Sequence, residues 1–331
     1  MNTRCLAILG LMAVAAPASA QTWTPPRAPD GHPDLQGFWT NATITPMERP
    51  RELGAKEFYT ADEAAEVRKK TLVPAPTAQR GGTEAHYEFT QFGLDRTQAP
   101  VAFSLRTSLI VGPDGRVPPL TPAARQRTLS RLLGRPTSDA TESRDPGLEP
   151  AGSYDDPERR PLGERCLLGF GSTSGPPALP NYFYNNLHQI VQTRDAVMIL
   201  TEMVHDARVI RMNAQHLPKN IQRWMGDSVG RWEGDTLVVD TTNFNDKTRF
   251  RGSTENLHVV ERFTRIDDKT ILYRFTVEDP DTWDKPWTGE YTWPATTKPI
   301  YEYACHEGNY ALGDVLRGAR HQEALEAAAK K

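Results

Sequence analysis

The sequence predicts a mainly β protein whose strands form an antiparallel meander and close into a barrel. Strand-like runs follow one another at short intervals between residues 181 and 310, and the links are too short for helical crossovers. Closure removes exposed edge strands, which favours a barrel over the alternative of a flat sandwich. The 27 prolines and 24 glycines are also more typical of a loop-rich β protein than of a helical one.

The predicted strands are runs rich in β-branched and aromatic residues that end at turn residues. The main runs cover 197–203, with 205–212 continuing past a bend, and then 236–242, 257–266, 271–277, 287–293 and 300–305. Turns at 233–235 and 267–269 precede two of these runs, and neighbouring strands are expected to pair antiparallel. A further strand is predicted at 107–111, before a turn at 112–115.

The chain outside the barrel is predicted to be extended, with a few short helices. Residues 21–165 form an extended and partly helical region that wraps the barrel domain, which is placed at 166–320. Within this region, the charged and proline-rich residues 136–165 are predicted as a long surface loop. A C-terminal tail follows at 321–331, with a frayed helix over 323–329.

Two helices are predicted in the N-terminal region from their first residues. The first begins after Thr60, which forms a capping box with Glu63, and is expected to run to Lys70. The second has Thr121 as its N-cap and Pro122 at its first helical position.

Residues 1–20 have the three parts of a cleavable secretory signal peptide in the usual order. Arg4 gives the positive start, an apolar run covers 5–16, and Ala-Ser-Ala at 18–20 supplies the cleavage pattern. The run is shorter than the roughly 20 apolar residues of a transmembrane helix, which weighs against the alternative of a membrane anchor. The mature chain is therefore expected to begin near Gln21 and to be periplasmic or secreted.

Charge limits the partners of the mature chain. Removing residues 1–20 removes one arginine and no acid, which changes the formal net charge from −3 to −4. This near balance argues against nucleic acid and against an anionic membrane as the main partner. A small molecule is the expected partner, and the oligomeric state stays open.

Cys166 and Cys305 are the only cysteines that remain after processing. In an oxidising compartment such a pair favours one disulfide, whereas two buried free thiols are the alternative. The bridge would hold the loop before Asn185 close to the strand end that carries His306.

Two resemblances to known proteins are present. Residues 34–39, DLQGFW, are similar to the opening G-x-W strand of lipocalin-like barrels. The stretches GRWEGDTLVVDT at 230–241, EMVHDAR at 202–208 and EYACHEGNY at 302–310 resemble a large set of exported bacterial proteins of largely unassigned activity. The resemblance covers the mature chain, most strongly 181–310. It implies a periplasmic, lipocalin-like barrel and brings no settled chemistry with it.

The strongest candidate site is the polar group Glu202, His205, Asp206 and Arg208 inside an otherwise apolar run. A histidine can act as an acid or base near neutral pH, a carboxylate can orient it, and an arginine can hold an anionic intermediate. Alternation along a strand places Asp206 and Arg208 on one face and His205 on the other, unless a bulge redirects them. We predict His205, Asp206 and Arg208 as catalytic and Glu202 as substrate-binding; an ordinary ion pair at a strand end is the alternative.

A second candidate follows the last predicted strand. His306 is predicted as a further acid–base group, with Glu307 and Tyr310 as substrate-binding residues, because a bridged Cys305 would hold this segment rigidly. The alternative is that the bridge alone matters here.

A third candidate is the amide-rich segment that follows the aromatic residues 182–184. Asn185, Asn186 and Gln189 are predicted to bind substrate, since amides give directional hydrogen bonds beside rings that can stack. Such residues are also common in turns.

The fourth candidate is on the predicted strand 257–266. His258 and Arg262 share one face of the strand, with Glu261 on the other. They are predicted as substrate-binding residues, and Arg262 could help Arg208 to stabilise an oxyanion. A ladder of side chains that faces solvent is the alternative.

The sequence predicts no redox cofactor. His205, His258 and His306, with Glu202 or Glu307, would make a plausible zinc or copper set, but no H-E-x-x-H, C-x-x-C or H-x-H motif supports a metal. There is also no G-x-S-x-G frame, phosphate loop or dinucleotide fingerprint.

Two functions stay open at this point. The leading hypothesis is an exported enzyme that acts on a small organic molecule by His/Asp acid–base chemistry, as a lyase, isomerase or hydrolase. The alternative is a non-catalytic, lipocalin-like protein that binds an apolar or aromatic ligand. Five of the seven tryptophans, between residues 224 and 293, would then form its walls.

Overall fold

The computed structural model describes residues 23–72, 104–132, 154, 156–160, 162–168, 175–179, 185–247 and 250–330. The predicted signal peptide and the mature start near Gln21 lie outside the described residues, as does most of the predicted loop at 136–165. Within these ranges the protein is mainly β, as the sequence predicts. Three α-helices accompany nine strands there, and none of the helices is long and apolar enough to cross a bilayer.

The nine strands form one sheet in which each strand pairs with the next along the chain. They are β1 (Gly37–Thr40), β2 (Leu187–Gln192), β3 (Ala196–Thr201), β4 (Ala207–Met212), β5 (Asp227–Glu233), β6 (Thr236–Thr242), β7 (His258–Asp267), β8 (Thr270–Glu278) and β9 (Trp287–Pro294). The first strand comes from the N-terminal region, so the sheet joins distant parts of the chain.

The sheet curls into a nearly closed barrel, because its first and last strands meet. Trp39 of β1 forms a β-bridge with Ala295, and the Thr296 amide donates to the Phe38 carbonyl at 2.9 Å. Farther along β9, residues 109–111 take the free edge: the Val111 amide donates to the Thr288 carbonyl at 2.9 Å. We call the β1–β9 contact the closure.

One pair of strands departs from the predicted antiparallel meander. β4 and β5 are parallel and share only two register pairs, Arg211 with Val229 and Met212 with Gly230. The residues between them, 213–226, run back along the barrel, so β5 starts at the same end as β4. The Asn243 side chain holds this connection by donating to three of its backbone carbonyls, those of Leu217, Pro218 and Ile221.

Alternate residues of the strands fill the barrel. On β8, Ile271, Tyr273, Phe275 and Val277 are fully buried, whereas the residues between them are not. Aromatic side chains provide much of this core, as expected from the large apolar area that each one buries. They include Trp39, Phe263, Tyr273, Phe275, Tyr291 and Trp293.

We call the end of the barrel that contains Gly37 and the β7–β8 turn the base. Residues before β1 cover this base. Leu35 is fully buried, and its carbonyl accepts from Trp39 Nε1 at 2.9 Å. The Arg265 guanidinium lies 5.7 Å from the Trp39 ring centre and donates to the Asp34 carbonyl at 2.6 Å. A cation over an indole face strengthens this packing.

Both predicted N-terminal helices are present. α1 (Ala61–Leu72) begins with the predicted capping box: the Glu63 amide donates to Thr60 Oγ1 at 3.3 Å, and the Thr60 amide donates to Glu63 Oε2 at 2.8 Å. α2 (Pro122–Leu132) is capped by Thr121, whose Oγ1 accepts from the Ala124 amide at 3.1 Å.

Several predicted elements were wrong in detail. Residues 300–305 form no strand, because the edge of β9 is already occupied by 109–111 and by the closure. Residues 107–111 contribute only an isolated bridge, from Ile110 to Gly289. The tail helix α3 (Tyr310–Ala329) begins well before residue 323. β2 and β5 were missed, because their polar residues hide the alternation of buried and exposed positions.

Candidate functional site

The predicted site at 202–208 is divided by a tight turn. Residues Met203–His205 form one 3-10 turn, in which Val204 and His205 have left-handed φ angles of 63° and 48°. β4 then begins at Ala207 and directs Arg208 into the barrel, whereas the His205 side chain is exposed. His205 and Arg208 are therefore on opposite sides of the barrel wall.

Arg208 belongs to a buried polar network that crosses the lumen. Its two Nη atoms donate to the two carboxylate oxygens of Glu261, with Nη2 3.0 Å from Oε1. Tyr273 donates its hydroxyl to Glu261 Oε1 at 2.8 Å. The Arg208 and Glu261 side chains are only 6% and 0% exposed, so the pair is almost isolated from water. We call Arg208, Glu261 and Tyr273 the inner network.

The inner network also holds a segment of chain inside the barrel. The Ala178 amide donates to the Tyr273 hydroxyl at 2.9 Å, and the Ala178 carbonyl accepts from the Tyr291 hydroxyl. Burial, together with the Glu261 carboxylate, raises the pKa of Tyr273 well above 10.0, so its hydroxyl stays protonated and can donate. The network thus has a clear structural role, in anchoring residues 175–179.

His188 of β2 lies in the same lumen, close to Arg208. Its ring stacks on Trp293 with the centroids 4.4 Å apart, and its Nδ1 is 3.2 Å from Thr201 Oγ1. Burial, with a smaller effect from the Arg208 charge, lowers the pKa of His188 to about 3. The imidazole is therefore neutral at physiological pH and is a weak base.

A second cluster, on the outer wall of the barrel, joins two histidines through one carboxylate. Asp240 Oδ1 lies 3.0 Å from His216 Nε2 and 3.1 Å from His258 Nε2. The other ring nitrogens also face carboxylates: His216 Nδ1 is 3.2 Å from Asp227 Oδ2, and His258 Nδ1 is 3.6 Å from Glu278 Oε2. We call His216, Asp240 and His258 the outer cluster.

Strand register and one loop build the outer cluster. Asp240 and His258 point outward from the adjacent strands β6 and β7, whereas His216 comes from the β4–β5 connection. Asp227 fixes that connection by accepting from the Leu217 amide at 2.9 Å and from Arg211. The three side chains of the cluster are 27–34% exposed, so a solute can reach them.

Hydrogen bonding tunes the ionisation of this cluster. The hydrogen bond to Asp240 raises the pKa of His258 above 6.5, although burial opposes it. The same bond lowers the pKa of Asp240 below 3.8. A histidine that a carboxylate orients and holds in its protonated form is suited to acid–base catalysis.

The pair His258–Asp240 should stabilise the fold most between about pH 4 and pH 6.5. The contribution of His258 is complete below 6.5 and is lost as the pH rises through its higher folded pKa. The contribution of Asp240 is complete above 3.8 and is lost as the pH falls through its lower folded pKa. We expect His258→Gln to cost at most about 1 kcal/mol near pH 5.5, since a partly exposed pair is screened.

Urea denaturation of the wild type and His258→Gln at about pH 5.5 and about pH 9 checks this pH dependence. The difference in the free energy of unfolding between the two proteins should shrink at the higher pH. A difference that grows with pH would contradict the assignment of the charged pair.

The remaining predicted residues range from exposed to buried, and Glu202 and Asn185 are hydrogen-bonded to each other. Arg262 shares one face of β7 with His258, as predicted, but that face is the outer one, whereas Arg208 points inward. Arg262 donates to Glu233 Oε2 at 2.8 Å. Asn185, Asn186 and Gln189 are half-buried near the start of β2. Glu202 is 4% exposed, its Oε1 accepts from the Tyr301 amide at 3.1 Å, and burial raises its pKa.

The disulfide Cys166–Cys305 is present, with the two Cα atoms 5.6 Å apart. It joins the segments 162–168 and 301–309, where the Asn309 side chain also donates to the Glu164 carbonyl at 2.9 Å. The predicted residues His306, Glu307 and Tyr310 are exposed beside it.

Sequence reasoning missed most of the residues that the structure brings together. His188 and Asp240 lie in stretches that the sequence singled out but were assigned no role, His216 has no local motif, and Glu261 was placed only as the residue that faces away from His258. Among the described residues, no group of three or more His, Cys, Asp or Glu side chains is arranged to hold a metal ion.

Comparison of the chain with protein-family models, with curated proteins and with solved structures gives no match. Functional inference therefore depends on the geometry of the two polar clusters.

Proposed function

We propose that this chain is an exported enzyme that acts on a small organic molecule by His/Asp acid–base chemistry, without a redox cofactor. Lyase, isomerase and hydrolase reactions are the classes that such groups can catalyse. The observation that carries the proposal is the outer cluster, in which His216 Nε2 and His258 Nε2 approach the same oxygen of Asp240.

The outer cluster combines the features that acid–base catalysis needs. Asp240 orients His258 through Nε2 and favours its protonated form. Nδ1 is then the atom that can give a proton to a substrate or take one from it, in place of its contact with the exposed Glu278 carboxylate. Glu278 and Asp227 lie behind the two histidines and restrict their ring orientations. Because the cluster is partly exposed, these groups are accessible without opening the barrel.

The inner network is less suited to this chemistry. Arg208 and Glu261 neutralise each other, and His188 is held neutral with a pKa of about 3. A base with so low a pKa removes protons poorly near neutral pH. We therefore assign acid–base catalysis to His258 and Asp240, with His216 as a positioning residue.

The proposed periplasmic or secreted location is supported by the disulfide. Cys166 and Cys305 are paired in the structure, and such bridges persist mainly in oxidising compartments. The signal-like segment at 1–20 supports the same location from the sequence.

Substitution within the outer cluster should abolish turnover. We expect His258→Gln and Asp240→Asn to lower kcat/KM by roughly 100- to 10,000-fold, the usual contribution of a positioned acid or base. The measurement is a screen of the wild type against ester, lactone, elimination and isomerisation substrates, followed by the pH profile of any activity found. His216→Gln should mainly shift that pH profile.

Matched variants distinguish catalysis by the outer cluster from catalysis by the histidines that the sequence predicted. His321→Gln, on the exposed face of α3, is the control and should keep full activity. His205→Gln and His306→Gln test the two exposed histidines that the sequence favoured. Loss of activity in either of these, with His258→Gln unaffected, would contradict the proposal.

A second candidate function is suggested by the aromatic interior of the barrel. Phe263, Tyr273 and Trp293 are in mutual ring contact there. We propose as this alternative a lipocalin-like protein that binds an apolar or aromatic ligand without changing it. Native mass spectrometry of the purified protein tests it, and a co-purified aromatic compound is the expected result.

A further inference from the structure

Two arginines lie directly opposite each other on the outer wall of the barrel. Arg262 of β7 is in register with Arg274 of β8, and the side chains are 40% and 47% exposed. Like charges at directly opposite positions of an antiparallel pair repel each other and destabilise the sheet. An anion bound between the two guanidinium groups would remove this repulsion. We call Arg262 and Arg274 the arginine pair.

Neighbouring carboxylates neutralise the arginine pair only in part. Arg262 donates to Glu233 Oε2 at 2.8 Å, but Arg231 donates to the other oxygen of Glu233 at 2.6 Å, so one carboxylate serves two guanidinium groups. Arg274 donates to Glu290 Oε2 at 3.2 Å. Positive charge is therefore in excess here. Because exposed ion pairs add little stability, a bound anion can replace them.

The arginine pair shares the outer face of β7 and β8 with the outer cluster. Farther along the same two strands, Val260 is opposite Thr276, and His258 is opposite Glu278. Four residues of strand separate His258 from Arg262, which is about 13 Å. The three pairs form a strip of wall with an acid–base group at one end, positive charge at the other, and a methyl and hydroxyl floor between them.

The charges of this strip select the kind of molecule that fits it. A guanidinium group favours a carboxylate, because its fork of N–H donors matches two oxygen atoms. The other end carries the carboxylates of Asp240 and Glu278, and the Glu278 side chain is 53% exposed. A second negative group would be repelled there. A molecule with one carboxylate and a neutral reacting group is therefore favoured.

We propose that the substrate of the outer cluster is an organic monoanion. Its carboxylate binds between Arg262 and Arg274, and its neutral reacting group lies at His258. This inference rests on the proposed acid–base function and names the chemical class of its substrate. The two arginines bind the substrate and determine specificity, and they take no part in proton transfer.

Three molecules with the same carbon skeleton test the charge requirement. Pentanoate is an anion, pentanamide is neutral and pentylammonium is a cation. NMR titration of the wild type at neutral pH and low ionic strength, where exposed charges are least screened, gives the three dissociation constants. Pentanoate should bind at least about tenfold more tightly than the other two, because its hydrogen bonds to arginine are charge-assisted. Equal or tighter binding of the amide or the ammonium ion, or no binding of pentanoate, would overturn the inference.

Variants that change charge locate the anion. Arg262→Gln and Arg274→Gln should each weaken pentanoate binding, whereas Arg317→Gln, on the exposed face of α3, is the matched control and should bind normally. Glu233→Gln removes a competing carboxylate and should strengthen the binding, a gain that a purely structural role of Arg262 does not predict. Normal binding by both variants of the arginine pair would place the anion elsewhere and overturn the proposal.

His258→Gln separates this inference from the proposed function. The variant should lose turnover and keep pentanoate binding almost unchanged. If it loses binding while the arginine variants bind normally, the anion lies on the outer cluster and the inference is overturned. If pentanoate binds at the arginine pair but the wild type turns over no carboxylate-bearing substrate, the proposed function fails and the binding site stands.

Discussion

Replacing Glu261 by glutamine should lower the free energy of unfolding by about 3–5 kcal/mol, because it leaves a buried arginine without its counter-ion. Glutamine has almost the same size as glutamate, so the change removes charge and creates no cavity. Arg208 is 6% exposed and both of its Nη atoms donate to Glu261, so water cannot easily replace the lost carboxylate. Urea denaturation at neutral pH measures the effect.

A second pair of variants shows whether charge is the cause. The double substitution Arg208→Met with Glu261→Leu removes both charges and should recover at least half of the lost stability, as apolar replacements of buried ion pairs often do. Glu233→Gln breaks the exposed pair with Arg262 and should leave the urea midpoint almost unchanged. A Glu261→Gln protein as stable as the wild type would mean that Arg208 finds another partner.

Loss of the disulfide should have an effect of similar size. The double variant Cys166→Ser with Cys305→Ser should be about 4–5 kcal/mol less stable than the oxidised wild type, because a bridge that closes so long a loop greatly restricts the unfolded chain. The two cysteines are 139 residues apart, and eight of the nine strands lie between them.

Reduction supplies the control for this prediction. The reduced wild type should unfold at the same urea concentration as the double variant, and the double variant should not respond to reductant. If reduction lowers the free energy of unfolding of the wild type by less than about 1 kcal/mol, the bridge does not act by restricting the unfolded chain.

Sequence patterns predicted the strands with clear alternation and short turns. β6 was predicted to the residue, and β7, β8 and β9 within one or two residues, because each buries one apolar face. β2 was not predicted, because its buried positions include the polar residues His188 and Gln192. The predicted strand at 300–305 had suitable residues, but no free strand edge was left for it to join.

The candidate site was harder to predict, because its partners come from different strands. Local spacing marked Arg208 and His258 as candidates, but it did not predict that their partners are Glu261 and Asp240. Those contacts depend on how far each strand is displaced along its neighbours, and on whether each side chain points inward or outward. A single residue of register slip would reverse every one of these directions.

The closure described above also sets the order in which the chain can fold. Thr40 pairs with Leu187, and Trp39 reaches Ala295, so the first strand has no partner until most of the polypeptide is available. Contacts between such distant residues make folding slow, since a large loop must form before they are gained. The N-terminal strand therefore stays unpaired during synthesis until its partner strand has been made.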